Sequence, residues 1–406
     1  ADVFGEWEII PDLKAKVSFG TDIFHTKYNT FTPSNINESS GIASATVNGG
    51  YTTNWLNENT LTWNKRIFDS HQLALLGGIT FQQNRYEGFA GSSQDFVNDI
   101  LEYNSLQAGA TYNQPSSSNT EWSLLSYLSR LNYNIRERYL FSFSARVDGS
   151  SRFGKNNKYA FFPSGSVAWR LIEEDFIKNI GLFSNLKIRA SYGITGNQEI
   201  GLYNSLPTLT STTYTLGRAL VTGFFPNKIP NPDLKWERTS QFDIGLDASF
   251  WKSRLRITTD YYVKKTTDLI YDVGVPFVSG FSNSLQNIGS VQNKGLELAV
   301  ESDNFTGNFQ WTTSFNISFN KNKILELGGE AYKDVGAGDG HLKTGSVHRL
   351  IVGEPIGLFY GYVFDGIFKD QGELDAGPKS PTNWIGGRRY KDLGSATGEP
   401  DNKVDA

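Results

Sequence analysis

The chain has 406 residues, no Cys, no Met, a formal net charge of −4 and a 14% aromatic share drawn mainly from Phe and Tyr. Lack of Cys excludes a disulfide scaffold, a thiolate metal centre and a Cys nucleophile, and the acidic balance argues against a nucleic-acid binder, which carries a basic patch or stripe. No run of about 18 apolar residues occurs, which excludes a spanning helix but not a spanning β-barrel, whose signal per strand is far weaker.

In chain order, the first elements are strand pairs at 3–24, around Pro11 and Asp12, and at 55–81, around Asp69 and Ser70. Segment 95–112 is a candidate for a further strand. The clearest alternation follows. In "WSLLSYLSRLNYNI" Leu125, Tyr127, Leu131, Tyr133 and Ile135 share one face. In "YLFSFSARVD" Tyr139, Phe141, Phe143, Ala145 and Val147 oppose Leu140, Ser142, Ser144, Arg146 and Asp148, since successive strand side chains leave opposite faces. Only Arg136, Glu137 and Arg138 join the two, so they pair as a hairpin. The connection 173–185 contains "EEDFIKN", which reads as one helical turn. Hairpins recur at 241–263 across "WKS" and at 296–319 across the turn at Thr306, Gly307 and Asn308, and 347–368 is a second candidate for additional strands.

The connections alternate in length. Short links at 11–12, 68–70, 136–138, 173–185, 251–253 and 303–308 separate long ones at about 27–50, 88–120, 149–161, 197–236, 266–290 and 321–346. Long structureless loops are uncommon in compact soluble domains, whereas outer-membrane barrels pair short periplasmic turns with long extracellular loops. Aromatic residues cluster beside the short turns (Trp7, Tyr133, Tyr139, Phe250, Trp251, Phe309, Trp311), as a lower aromatic girdle would. The polar face mixes Arg, Lys, Asp and Glu, which suits a polar lumen; a soluble sandwich would carry them as solvated charges. The fold class expected is therefore all-β, an antiparallel transmembrane β-barrel section.

From about residue 121 onward, "LSRLNYNIRERYLFSFSARVDGSSRFG", "FFPSGSVAWRLIEEDF", "FSNLKIRASYGITGNQ", "NPDLKWERTSQFDIGLD", "IGSVQNKGLELAVES" and "FNISFNKNKI" together resemble the SusC/RagA-like branch of TonB-dependent outer-membrane transporters of Bacteroidetes. The resemblance implies a plugged barrel of about 22 strands. This chain would supply some 12 to 14 of them, all of 1–406 belonging to that one domain. Signal peptide, TonB box, plug and the closing C-terminal strands are expected to lie outside it. It further implies outer-membrane location and TonB-dependent import of a large nutrient, glycan or peptide, with a SusD-like lipoprotein. No catalytic role, cofactor or metal is implied.

Candidate lumen-facing residues are Arg146, Asp148, Arg189, Asp243 and Asp247; candidate ligand contacts on loops are Tyr203, Tyr214, Phe224, Phe225 and Trp236. The last five follow from aromatic faces stacking on sugar rings or holding peptide side chains, with packing of the loops on one another as the competing role. No nucleophile elbow, phosphate-cradling loop or metal motif is present, and His25, His71, His341 and His348 have no metal-ligand spacing. Relatives often place a calcium-like loop after "YKDL", but Asp392, Asp401 and Asp405 lack the required oxygen spacing. Two other functions fit the residues: a soluble β-rich carbohydrate-binding or adhesin domain, and a passive porin.

Overall fold

The computed structural model describes residues 1–36, 41–68, 70–336, 347–378, 383–394, 402 and 404. Asp69, His341, Asp401, Asp405 and much of the 321–346 connection lie outside them. The chain divides into two compact units, Ala1–Ile288 with Lys294–Asn320, and Gly289–Asn293 with Lys321–Ala406.

The first unit is built on β1 (Asp2–Ile10), β2 (Leu13–Thr32), β3 (Ser44–Ile67), β4 (His71–Phe96), β5 (Gly109–Tyr112), β6 (Ser116–Ile135), β7 (Tyr139–Ser150) and β8 (Tyr159–Arg170). After the one-turn helix α1 (Asp175–Lys178) come β9 (Phe183–Asn197), β10 (Leu209–Leu216), β11 (Ala219–Pro226), β12 (Glu237–Phe250), β13 (Leu255–Gly274), β14 (Asn283–Thr306) and β15 (Gln310–Leu327). Thirteen of these strands form one sheet, in the order β1-β2-β3-β4-β6-β7-β8-β9-β12-β13-β14-β15 with β5 beside β4. Strands β10 and β11 form a separate ribbon. The 12 to 14 strands expected are thus present, and 95–112 does hold a short strand. β1, at one end of the path, is exposed along its whole length.

The short turns close as tightly as the alternation implies. Arg136 and Glu137 both have left-handed backbones (φ 54 and 53), the conformation that a two-residue hairpin turn needs to match strand twist. Arg170 stabilises this turn, donating its backbone N–H to Arg138 O at 2.8 Å and a guanidinium N–H to Glu137 O at 3.0 Å.

On the other side the loops are shorter than expected. β2 runs to Thr32 and β3 starts at Ser44, β6 starts at Ser116, and β13 and β14 leave only 275–282 between them. The reason is compositional: these strand ends are rich in Ser, Thr, Asn and Gly on both faces, so their hydrophobic alternation vanishes while backbone pairing continues.

The sheet has one apolar and one polar face. On β4 the apolar face runs Leu73, Leu75, Gly77, Ile79, Phe81 and then turns to Gln83, Arg85 and Glu87. Leu73 to Phe81 matches the roughly 9–11 residues a strand needs to cross a hydrocarbon core. Neighbouring strands continue the band, as in the row Ile79, Tyr127, Val147, Phe161. Its upper edge is an aromatic group not anticipated from the sequence. Trp55 lies 5.0 Å from Phe81 and 6.0 Å from Phe19, and its indole N–H donates to Gln83 Oε1 at 3.1 Å. At the lower edge, Tyr139 stacks on Trp169, Phe250 meets Phe183 and Trp251, and Phe305 meets Phe309 and Trp311. Asn57 and Asn59 share the apolar face but are satisfied there. Asn57 donates to Ser18 O at 3.0 Å and Asn59 to Asn57 Oδ1 at 2.7 Å, which removes the cost of bare amides in hydrocarbon.

The second unit contains a three-stranded sheet of β16 (Tyr332–Val335), β17 (His348–Ile351) and β18 (Leu358–Phe359), and a pair, β19 (Phe364–Ile367) with β20 (Arg388–Tyr390). The extra strands expected within 347–368 are therefore short pieces. Arg349 lies over the rings of Tyr332 and Tyr360 at 4.0 and 3.4 Å and makes two hydrogen bonds to Asp334. Helix α2 (Gln371–Ala376) is capped reciprocally: Asp370 Oδ1 accepts the Glu373 N–H, and Glu373 Oε2 accepts the Lys369 N–H, each at 2.9 Å. Asp392 accepts the backbone N–H groups of Gly394 and Asn402.

Candidate functional site

Strand register brings three of the five polar-face candidates together. Arg189 on β9 lies opposite Gly245 on β12, which lies opposite Asp260 on β13. A Cβ on Gly245 would sit 2.4 Å from Asp260 Oδ1 and 2.6 Å from Arg189 Cζ. The missing side chain is the gap through which the two groups meet. Arg189 donates to Asp260 Oδ2 at 2.7 Å and lies 2.6 Å from Oδ1, a charge-assisted pair. It also approaches Asp247 at 3.4 Å and Asp243 at 3.5 Å, and Lys187 pairs with Asp247 at 2.9 Å. Two cations thus face three carboxylates on one patch. Asp260 and Lys187 were visible as polar-face residues but not as members of this cluster.

Arg146 and Asp148 form a second, separate pair. The guanidinium donates to Asp148 Oδ1 at 2.6 Å and to Ser126 Oγ at 2.8 Å. Ser126 is 0% exposed and Asp148 8%, whereas the Arg146 side chain stays 43% exposed, so the carboxylate is set into the wall and the guanidinium lies over it.

The loop candidates separate by role. Tyr203 accepts the Glu121 backbone N–H on its hydroxyl at 2.9 Å, which ties its loop to β6. On the ribbon, Tyr214 pairs with Val221 and its ring overlies Gly223, while Phe224 and Phe225 occupy opposite faces, 72% and 47% exposed. Trp236 is only 4% exposed. It packs on Phe153 and Phe162, at 4.8 and 5.4 Å between ring centres, and its N–H donates to Lys158 O at 3.0 Å. Its role is to join the 151–158 connection to the segment before β12, so its ring is not presented to a ligand. The joint is reinforced by Asn156 and Asn157, which donate to Asp233, and by Asn287, which bonds both Lys235 and Asp268.

Beside it is a residue not singled out from the sequence. Arg152, 9% exposed, donates to Glu199 Oε2 at 2.9 Å and Ile200 O at 3.1 Å, with its guanidinium 4.8 Å from the Trp122 ring centre. The strings "SSRFG" and "NPDLKWE" are the two halves of this joint, a relation that only long-range contact reveals. Among the histidines, His71 bonds Tyr133 Oη at 2.7 Å and His348 packs on Phe359; His25 is exposed.

At the short-turn end, Glu174 accepts hydrogen bonds from Arg138, Trp169 and Tyr139 at 2.9, 2.9 and 3.1 Å. The Trp169 N–H, aided by Tyr139, Arg138 and Lys178, holds this carboxyl below the usual range against an opposing desolvation effect.

Comparison with known proteins agrees with this architecture. The family model described as "TonB dependent receptor-like, beta-barrel" matches residues 4–405. "TonB-dependent receptor P3" of Formosa agariphila is 40% identical over 91% of the chain and 37% of its own length. "TonB-dependent receptor SusC" of Bacteroides thetaiotaomicron is 37% identical over 64% of the chain and 28% of its own length. The solved RagAB peptide importer, in its open-open state, superposes with a TM-score of 0.81 at 27% identity over 100% of this chain and 42% of that one. The chain spans less than half the length of each. These relatives are receptors and transporters rather than enzymes, and the SusC/RagA likeness read from the sequence holds. The apolar band, the two aromatic edges and the family match over nearly every residue lead to one conclusion: the chain belongs to the TonB-dependent receptor β-barrel family of the outer membrane.

Proposed function

We propose that the protein works in active, TonB-dependent import of a large nutrient, an oligosaccharide or a peptide, together with a SusD-like surface lipoprotein. The observation that carries this reading is the 4–405 match to the receptor barrel family, joined to a polar face whose ion pairs fit a lumen filled by a plug. Peptide import is supported by the superposition on the RagAB peptide importer; glycan import is the alternative that the family resemblance implies. Work comes from the inner-membrane proton gradient, so the barrel needs no catalytic group. All of 1–406 is assigned to one barrel domain. The lumen assignments of Arg146, Asp148, Arg189, Asp243 and Asp247, and ligand contact by Tyr203, Tyr214, Phe224 and Phe225, belong to this proposal.

The test is uptake of radiolabelled nutrient by cells carrying or lacking TonB. Loss of uptake without TonB is expected. Uptake that persists would leave a passive porin as the better reading, and recovery of the protein in the soluble fraction would favour a binding or adhesin domain.

A further inference from the structure

We propose that Tyr86 and Tyr28 form a stacking site for a neutral saccharide on the polar face of the sheet, beyond the apolar band. The proposal rests on the import reading and deepens it by naming the substrate class.

Register places the residues. Phe24, Thr52 and Tyr86 form one cross-strand row, Thr26, Gly50, Gly88 and Ser118 the next, and Tyr28, Asn48, Ala90 and Ser116 the third. All are spaced by two along their strands from Thr80, which pairs with Ser126, so they share the polar face with Arg146 and Asp148. They also lie past the level of Phe81, where the opposite face has already turned to Gln83, Arg85 and Glu87. Aromatic residues on this face at this height do not cover lipid.

The sheet is bare beneath Tyr86. A Cβ on Gly50 would come 2.8 Å from its ring, and one on Gly88 2.4 Å from its hydroxyl. The phenol thus lies down across two side-chain-free positions, one on β3 and one on β4. Tyr86 remains 37% exposed and Tyr28 66%, so both rings stay accessible. The adjoining cavity, about 450 Å³, is lined by the two tyrosines, Thr26, Asn48, Ser116, Ser118 and Phe89, and among the described residues that line it none is Asp, Glu, Lys, Arg or His.

That combination selects a ligand chemistry. Flat aromatic faces take up the C–H faces of pyranose rings, and neutral hydroxyls and amides pair with sugar hydroxyls without the desolvation cost of a charge. A peptide with charged termini and side chains, or an anionic chelate, would find no counter-charge among the described lining residues; Asp22 lies on the same face of β2, beyond Phe24. The nearby Arg152 is engaged with Glu199.

The experiment uses the protein extracted from its native outer membrane with any co-purifying partner. Calorimetry is run against neutral fragments of glucan, xylan and mannan, and against a mixed oligopeptide pool. At least one neutral oligosaccharide should bind, with Tyr28→Ala and Tyr86→Ala each weakening it about tenfold and Tyr86→Phe changing it by less than about threefold. A heat-shifted gel band certifies that each variant is folded. Absence of binding to every fragment, unaltered affinity in both alanine variants, or equal loss in Tyr86→Phe and Tyr86→Ala would each overturn the site. TonB-dependent peptide uptake that is indifferent to Tyr86→Ala would overturn the site but leave the import reading standing. Uptake independent of TonB would overturn the import reading whatever the rings bind.

Discussion

Gly245 is the residue on which the charge cluster depends. With hydrogen as its side chain, Arg189 and Asp260 join across β12; with a larger one, they cannot. Gly245→Val should separate the pair and leave a half-buried guanidinium and carboxylate short of partners, at a cost of about 1–3 kcal/mol. The check is the thermal midpoint of the gel-shift transition, which should fall, whereas Asp22→Asn, a single-residue change on the same face of β2 in a position without ion pairs among its described contacts, should leave it unchanged. This cluster was only half legible in the sequence. Alternation places Lys187, Arg189, Asp243, Asp247 and Asp260 on one face, but pairing Arg189 with Asp260 needs the register of three strands and a gap at the centre. Trp236 shows the converse: "NPDLKWE" reads as exposed loop, and the burial of its ring comes from Phe153 and Phe162, more than 70 positions away.

At the scale of elements, the two ends of the sheet are secured differently. The long-connection end is held by packing, so Trp236→Ala should free the 151–158 connection. Limited proteolysis at Lys155 and Lys158 should accelerate, while strands β6 and β7 stay protected. The short-turn end is held by charge. Because the carboxyl of Glu174 titrates below its ordinary value of 4.5 in the folded protein, its contribution to stability is complete above that value. It is lost as pH falls through the lower folded value. Unfolding curves should therefore show wild type and Glu174→Gln separated by a constant amount above about pH 4.5 and converging as pH falls below it. Hairpins such as β6–β7 were plain in the sequence because both strands alternate and the link is short. Strand extensions such as the start of β6 were not, since "SSSNT" has no apolar period to detect.

For the whole molecule, the apolar face sets the position of the membrane. Leu73 to Phe81 on β4 marks the hydrocarbon, and the Trp55 group marks its outer boundary. Replacing Ile79 with Arg should cost about 2–4 kcal/mol and replacing Gln83 with Arg about 0–1 kcal/mol, measured by urea unfolding from lipid vesicles. Equal penalties would move the boundary. At 26 residues, β4 is more than twice as long as the roughly 9–11 residues the bilayer requires, and the surplus raises the aromatic shelf and the loop joint clear of lipid.

The unbroken succession of neighbours in the sheet bears on biogenesis. Apart from the β10–β11 ribbon, which is looped out between β9 and β12, each long strand pairs with the one synthesised immediately before it. Contacts are therefore local in sequence, and little chain entropy is spent in searching for a partner. Such a wall can grow into the bilayer one hairpin at a time, each new strand covering the open edge of its predecessor. The two edges at the ends of this path, on β1 and on β15, are the ones that no strand local in sequence covers.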